Sequence, residues 1–117
     1  MNVFSMTTPL TGEYFTTVRL AVGGLCALAG FDLDSAEDFK VCVTESLLIL
    51  KRNGFETASV TLTVGEELAC TIEGRQLVAE KMETPEDEIS RALLSALLGS
   101  VEFVNDLDRV VKIHFKG

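Results

Sequence analysis

The chain has 117 residues, 47% of them hydrophobic, so it is long enough for one compact domain, residues 1–117, and too short for two. Its 18 acidic and 10 basic residues give a formal net charge of -8, which argues against nucleic acid or an anionic membrane as the partner, because both are bound by clustered Lys and Arg. No apolar run approaches the roughly 20 residues that cross a bilayer, and the N-terminus lacks the features of a signal peptide. We therefore expect a cytoplasmic protein.

Hydrophobic periodicity divides the chain into eight elements, in the order strand, helix, helix, strand, strand, helix, strand, strand. They are predicted at about residues 1–7, 13–29, 35–52, 59–64, 68–72, 85–98, 101–104 and 109–115. The economical way to bury three amphipathic helices and two hairpins around one core is an α+β two-layer sandwich. We expect a mixed or antiparallel sheet of about five strands with all three helices on one face.

Local signals fix the helix ends. Gly30 ends the first helix, and Asp34 is predicted to cap the second by accepting a backbone N–H, with Glu37 reaching back. Asn53 and Gly54 form the C-terminal stop of that second helix.

The third helix and the closing hairpin have equally local signals. Thr84 is the expected N-cap of the third helix, with proline at its first position and acids in its first turn. Its predicted apolar stripe comprises Ile89, Leu93, Leu94, Leu97 and Leu98. In the last strand, alternation predicts that Val111, Ile113 and Phe115 line one face.

Few residues offer chemistry. Cys26, Cys42 and Cys70 are odd in number, far apart in the sequence and set among apolar neighbours, which indicates inert buried thiols. His114 alternates with lysines on the expected solvated face, so no nucleophile–base pair is predicted. Glu45 stands in an apolar part of the second helix, where it either pairs with a neighbouring basic side chain or reaches to water.

Part of the chain resembles a known family. Residues 15–46 read FTTVRLAVGGLCALAGFDLDSAEDFKVCVTES, which is similar to the N-terminal part of the anti-sigma factor serine kinases of the histidine-kinase-like ATPase superfamily. The resemblance implies the histidine-kinase-like ATPase fold. It also implies a signature E-x-x-x-N on the second helix, in which the Glu activates phosphoryl transfer and the Asn coordinates the magnesium bound to ATP. Glu45 matches the family's Glu.

The sequence departs from the family at three places. Ile49 stands where the Asn is needed and has no oxygen for magnesium, and Asn53 is better explained as a helix stop. Ile72-Glu73-Gly74-Arg75-Gln76 replaces the family's Asp-x-Gly-x-Gly, and Thr84 to Ser90 replaces its phosphate-binding glycine turn with acids that repel a triphosphate. Glu45 is therefore interpreted as a remnant, and no catalytic, cofactor-binding or metal-ligating residue is predicted.

Three hypotheses about function remain. The favoured one is a non-catalytic, anti-sigma-factor-like regulator that binds a protein partner, by resemblance a sigma factor or an anti-sigma antagonist, without ATP or another cofactor. The alternatives are an active ATP- and magnesium-dependent serine kinase, and a dimeric structural or sensory domain unrelated to transcription.

Two residues of the first helix are candidates for partner binding. Tyr14 and Arg19 lie beside the apolar stripe, and aromatic and arginine side chains often anchor interfaces. We expect both to be partly exposed and to contribute to a heterologous or homodimeric interface. The alternative is that Tyr14 packs on the sheet edge and Arg19 pairs with an acid.

Overall fold

A computed structural model describes residues 2–117; Met1, where the predicted first strand begins, lies outside the described residues. The elements are β1 (Asn2–Pro9), α1 (Gly12–Leu28), α2 (Leu33–Arg52), β2 (Thr57–Val64), β3 (Leu68–Gly74), α3 (Pro85–Leu97), β4 (Val101–Asp106) and β5 (Arg109–Lys116). Their types and order agree with the sequence prediction, and their ends differ from it by a few residues.

The strands form one open five-stranded sheet in the order β1-β2-β3-β5-β4. Every neighbouring pair is antiparallel, so the described strands are antiparallel throughout rather than mixed. Along β2 and β3 every second residue is buried, because side chains alternate between the two faces of a strand. The other face carries half-buried and polar side chains, among them His114, whose Nδ1 lies 2.7 Å from the hydroxyl of Thr71.

The helices cover the apolar face of the sheet. α1 contacts β1, α2 contacts β2, β3 and β5, and α3 packs against α2. The buried apolar residues of both layers form one cluster. The arrangement is α+β and is compatible with a two-layer sandwich. Among residues 2–117, none of the helices is long and apolar enough to cross a membrane.

The N-terminal cap of α2 differs from the prediction. Asp32, not Asp34, is the N-cap, and its Oδ1 accepts a hydrogen bond of 2.8 Å from the backbone N–H of Ser35. That bond is the main reason that the pKa of the Asp32 carboxyl is lowered. Glu37 bonds to Lys40 at 2.7 Å instead of reaching back to the cap. The prediction was wrong because aspartates at 32 and 34 carry the same capping signal.

The predicted alternation in β5 is also wrong at one end. The pairing of β4 with β5 shifts register between Val104 and Asn105, which adds one unpaired residue to β5. Val110 is therefore fully buried and Val111 only half-buried, whereas Ile113 and Phe115 are buried as expected. A bulge of this kind breaks the two-residue period and cannot be read from hydrophobicity.

The apolar stripe of α3 is narrower than predicted. Leu94 and Leu98 are buried, but Ile89 and Leu93 are exposed. Ser90 is buried in their place, with 1% of its surface accessible. The face that α3 turns to α2 is thus partly polar, and this polarity defines the first candidate site.

Candidate functional site

A polar contact joins the centre of α2 to α3. The hydroxyl of Ser90 donates a hydrogen bond of 2.6 Å to Oε2 of Glu45, which is half-buried. The same hydroxyl accepts a hydrogen bond of 3.0 Å from Nη2 of Arg52. Glu45 thus pairs across to α3, rather than with a basic neighbour along its own helix. Because Ser90 is almost fully buried and has a partner on each side, its hydroxyl holds the two helices together.

The contact continues as a chain of charged groups. Nη1 of Arg52 lies 3.4 Å from Oδ1 of Asp87, and Nε of Arg91 lies 3.1 Å from Oδ2 of the same carboxylate. The guanidinium of Arg91 then stacks over the ring of Phe103, 4.5 Å from its centroid. A half-buried network of this kind fixes orientation more than it adds stability. The network links α2 to α3 and, through the ring of Phe103, α3 to β4.

The side chain one helical turn after Glu45 is buried in the core. Ile49 has no accessible surface, so the side chain where the resembling family has its magnesium ligand is part of the core. Asn53 is also buried: its Nδ2 donates to the carbonyl of Ile49 at 2.8 Å, and its Oδ1 accepts from the N–H of Val110 at 3.0 Å. Both polar ends of Asn53 are occupied in tying the end of α2 to β5.

At the end of β3, the space beside Gly74 is filled by an aromatic side chain. A β-carbon on Gly74 would lie 2.5 Å from ring atoms of Phe55, so the glycine is required for packing. Glu73 lies 3.3 Å from Arg75 and 4.0 Å from Lys112.

The loop before α3 runs along the end of α2. The N–H of Val78 donates to the carbonyl of Gly54 at 2.9 Å, and the N–H of Met82 donates to the carbonyl of Arg52 at 2.7 Å. The loop therefore satisfies backbone groups that a helix end leaves without partners.

A second candidate site is a groove between α1 and α2, with a volume of about 620 Å³. We call it the α1–α2 groove. Its lining mixes apolar and charged side chains: Thr16, Arg19, Leu20, Gly23, Ala27, Phe31, Asp32, Leu33, Ala36, Glu37 and Lys40. Leu20 and Leu33 are largely exposed there. The groove thus exposes two leucines beside charged side chains.

The structure separates the two predicted partner-binding residues. Arg19 lines the α1–α2 groove and is exposed, and none of the ion pairs between residues 2–117 includes it. Tyr14 is 44% exposed but does not line the groove. Both are exposed as expected, while their part in binding stays a prediction. Leu20 and Leu33 were missed because only packing shows which apolar residues remain uncovered.

The cysteines lie in the core. All three are buried, and burial raises the pKa of the Cys42 thiol to about 12. Burial also raises the pKa of Cys70, and the nearby Cys26 and Cys42 add to the effect. Residues far apart in the sequence thus converge between α1, α2 and β3. Among residues 2–117, no group of His, Cys, Asp or Glu side chains is arranged to hold a metal ion.

No family model matches the chain, and no curated protein matches it in sequence.

Proposed function

We propose that this chain is a non-catalytic regulatory protein of the anti-sigma factor kinase type, with a degenerate histidine-kinase-like ATPase fold, that acts in the cytoplasm by binding a protein partner without ATP. The observation that carries the proposal is the state of two positions on α2. Glu45, which matches the family's catalytic acid, accepts a hydrogen bond from the hydroxyl of Ser90. Ile49, which stands where the family has its magnesium ligand, is fully buried.

Magnesium chemistry explains why these positions matter. Mg²⁺ accepts oxygen ligands in near-octahedral geometry and brings the charge of the triphosphate with it. At the Ile49 position there is no oxygen to bind it, and α3 packs over this part of α2 through Ser90. The acids in the first turn of α3, Glu86, Asp87 and Glu88, oppose a phosphate group at that helix end.

The α1–α2 groove supports protein binding as the remaining activity. By the family resemblance, the expected partner is a sigma factor or an anti-sigma antagonist. The groove would receive apolar side chains of that partner against Leu20 and Leu33, with an acidic group facing Arg19. Arginine is among the side chains that most often carry binding energy at protein interfaces.

Calorimetric titration with millimolar magnesium-ATP tests the loss of nucleotide binding. We expect no saturable heat. A Kd in the micromolar range, equivalent to about -8 kcal/mol, would refute the proposal and favour the active kinase. The Ser90→Ala variant is a useful companion, because binding that appears only in this variant would mean that α3 blocks an otherwise competent site.

Alanine substitution at Tyr14 and Arg19 tests the partner. We expect the double variant to keep its far-UV circular dichroism spectrum and to lose the sigma factor or antagonist that co-purifies with the wild type from its native cell. Lys116→Ala, which removes an exposed cation at the far end of β5, is the control and should retain it. Unchanged co-purification in the double variant, or recovery of an unrelated protein only, would contradict the assignment.

A further inference from the structure

The solvent side of α3 is apolar. Residues spaced by three and four along the helix are exposed there, and we call them the α3 outer face: Pro85, Ile89, Ala92, Leu93 and Ala96. Ile89 is 60% exposed and Leu93 36%, whereas Ser90, on the side that meets α2, is 1% exposed. A helix on a protein surface normally turns its apolar stripe to the core. α3 therefore leaves uncovered the side chains that this rule would bury.

Two glutamates border the α3 outer face near its N-terminal end. Glu86 and Glu88 lie in the first turn of α3 and are exposed. With about 3.6 residues per turn, they lie on opposite sides of the apolar face. None of the ion pairs between residues 2–117 includes either carboxylate, whereas Asp87 between them pairs with Arg52 and Arg91. The face thus has an apolar centre and a negative border without a partner charge.

The geometry of this face favours a helix as its occupant. The N–H and C=O groups along a helix bond within that helix, so α3 offers no ladder to an incoming strand. Ala92 and Ala96 are one turn apart, and small side chains at a contact let a second helix approach closely. A membrane does not fit, because helices that lie on a membrane carry Lys and Arg beside their apolar face, where α3 carries Glu86 and Glu88.

We propose that the α3 outer face binds a basic amphipathic helix of a partner protein, with the two helices antiparallel. The 13 residues of α3 span about 20 Å, so a partner helix of about 13 residues covers them. Its apolar side chains pack on Ile89 and Leu93, and lysines or arginines in its last turn meet Glu86 and Glu88. The antiparallel direction follows from charge, because cations are favoured at the C-terminal end of a helix and the two glutamates lie at the N-terminal end of α3.

Charge also decides against a second copy of α3 as the occupant. The last turn of α3 has no basic residue, so an antiparallel copy would leave Glu86 and Glu88 without a cation. The α3 outer face is also separate from the α1–α2 groove, since none of the residues that line the groove belongs to α3. The inference is therefore independent of the proposed function.

A peptide titration followed by nuclear magnetic resonance of the isotope-labelled chain tests the proposal. The probe is a synthetic helical peptide of about 14 residues, with leucine along one face and lysine in the last turn. The matched peptide has glutamate in place of lysine. We expect saturable shifts at the amides of the α3 outer face with the lysine peptide and much weaker binding of the glutamate peptide. Shifts confined to residues outside α3, equal binding of both peptides, or no saturable shift with about 1 mM lysine peptide would overturn the proposal.

Substitution of the apolar centre gives a second readout. Ile89→Ser with Leu93→Ser should weaken the lysine peptide at least about tenfold, because contacts at the centre of an interface carry most of the binding energy. Both side chains are already exposed, so the circular dichroism spectrum should not change. The control, Leu28→Ser with Leu107→Ser, changes two exposed leucines elsewhere and should bind like the wild type. Equal affinity of the two double variants would contradict the assignment of the site to α3.

Substitution of the border tests the charge of the partner. Glu86→Gln with Glu88→Gln should weaken the lysine peptide about fivefold, as expected for two exposed ion pairs. Glu66→Gln with Glu67→Gln is the control, because it changes the net charge equally at the exposed turn between β2 and β3. If both variants weaken the peptide equally, attraction to the net charge of -8 accounts for the binding, and the α3 site is wrong.

Discussion

Ser90→Ala is the most direct test of the contact between α2 and α3. The substitution removes the hydrogen bond of 2.6 Å to Glu45 and the bond of 3.0 Å from Arg52. Glu45 and Arg52 keep their charges, and each loses a buried hydrogen-bond partner. It introduces no bulk, because alanine is smaller than serine, so the lost bonds dominate the change in stability.

The expected magnitude follows from the environment of the three side chains. Hydrogen bonds to charged groups contribute about 1.5–3 kcal/mol each. Glu45 and Arg52 are only half-buried, so water replaces part of what they lose, and we expect about 2 kcal/mol in total. For a chain of 117 residues, with an unfolding entropy of about 2.1 cal/mol/K per residue, this lowers Tm by about 8 °C.

The assay is urea unfolding followed by circular dichroism, with a thermal scan beside it. Ser95→Ala is the matched control, because Ser95 is exposed on the same helix and the gain in helix propensity, about 0.5 kcal/mol, is common to both variants. A difference of less than about 0.5 kcal/mol between the two variants would refute the reasoning and assign no structural role to the Glu45–Ser90 bond.

A double-mutant cycle isolates what the charge of Glu45 adds to that bond. Glu45→Gln keeps an oxygen that can accept from Ser90 but removes the charge, so alone it should cost about 1 kcal/mol. In the Ser90→Ala background it should cost close to nothing, and the difference measures the coupling. Partner binding should survive Glu45→Gln, since this carboxylate lies away from the α1–α2 groove. Loss of binding without unfolding would contradict its assignment as a structural remnant.

Three further predictions rest on local geometry. Leu107 is 95% exposed with a φ of 59°, so Leu107→Gly should raise the free energy of unfolding by about 1 kcal/mol, and Leu107→Ala, which keeps the β-carbon, should not. Gly54→Ala should lower the free energy of unfolding by more than about 2 kcal/mol, because Gly54 has a φ of 97° and the added carbon would meet the carbonyl of Ala79. Gly24→Ala, whose added carbon would lie in open space, should instead stabilise α1 by about 0.5–1 kcal/mol. Urea unfolding measures the two Leu107 variants and the two glycine variants. The Cys42 thiol, with its pKa raised to about 12, should resist Ellman's reagent at about pH 8 until denaturant is added, and fast labelling of the native chain would show that this part of the core opens.

The order of the elements could be predicted because it depends on local signals. Proline at the start of α3 and the Asn53-Gly54 stop are steric and hydrogen-bonding preferences of single residues. The alternation in β2 and the three- and four-residue spacing in α1 follow from the geometry of one strand or one helix. The α+β class follows in turn, since helices and hairpins in this order have few ways to bury their apolar faces.

The candidate sites depend on contacts between elements, which these signals do not contain. The prediction chose Asp34 over Asp32 because capping residues two positions apart look alike, and the bulge in β5 depends on its partner β4. Asn53 was predicted as a helix stop, yet its side chain also accepts a hydrogen bond from the N–H of Val110, which lies 57 residues later in the sequence.

Glu45 shows the division between sequence and tertiary structure most clearly. The sequence by itself determined that one carboxylate lies in an apolar helix and that Ile49, with no oxygen, follows one turn later. Only the packing of α3 decided that the partner of Glu45 is Ser90. From the sequence, the apolar Ile89 and Leu93 are expected to face the core and the polar Ser90 to face water. In the structure α3 has the opposite rotation, with Ile89 and Leu93 exposed and Ser90 buried. Hydrophobic burial chooses among such rotations by total area across the whole interface, and a buried hydroxyl is accepted where a charged partner from another helix satisfies it.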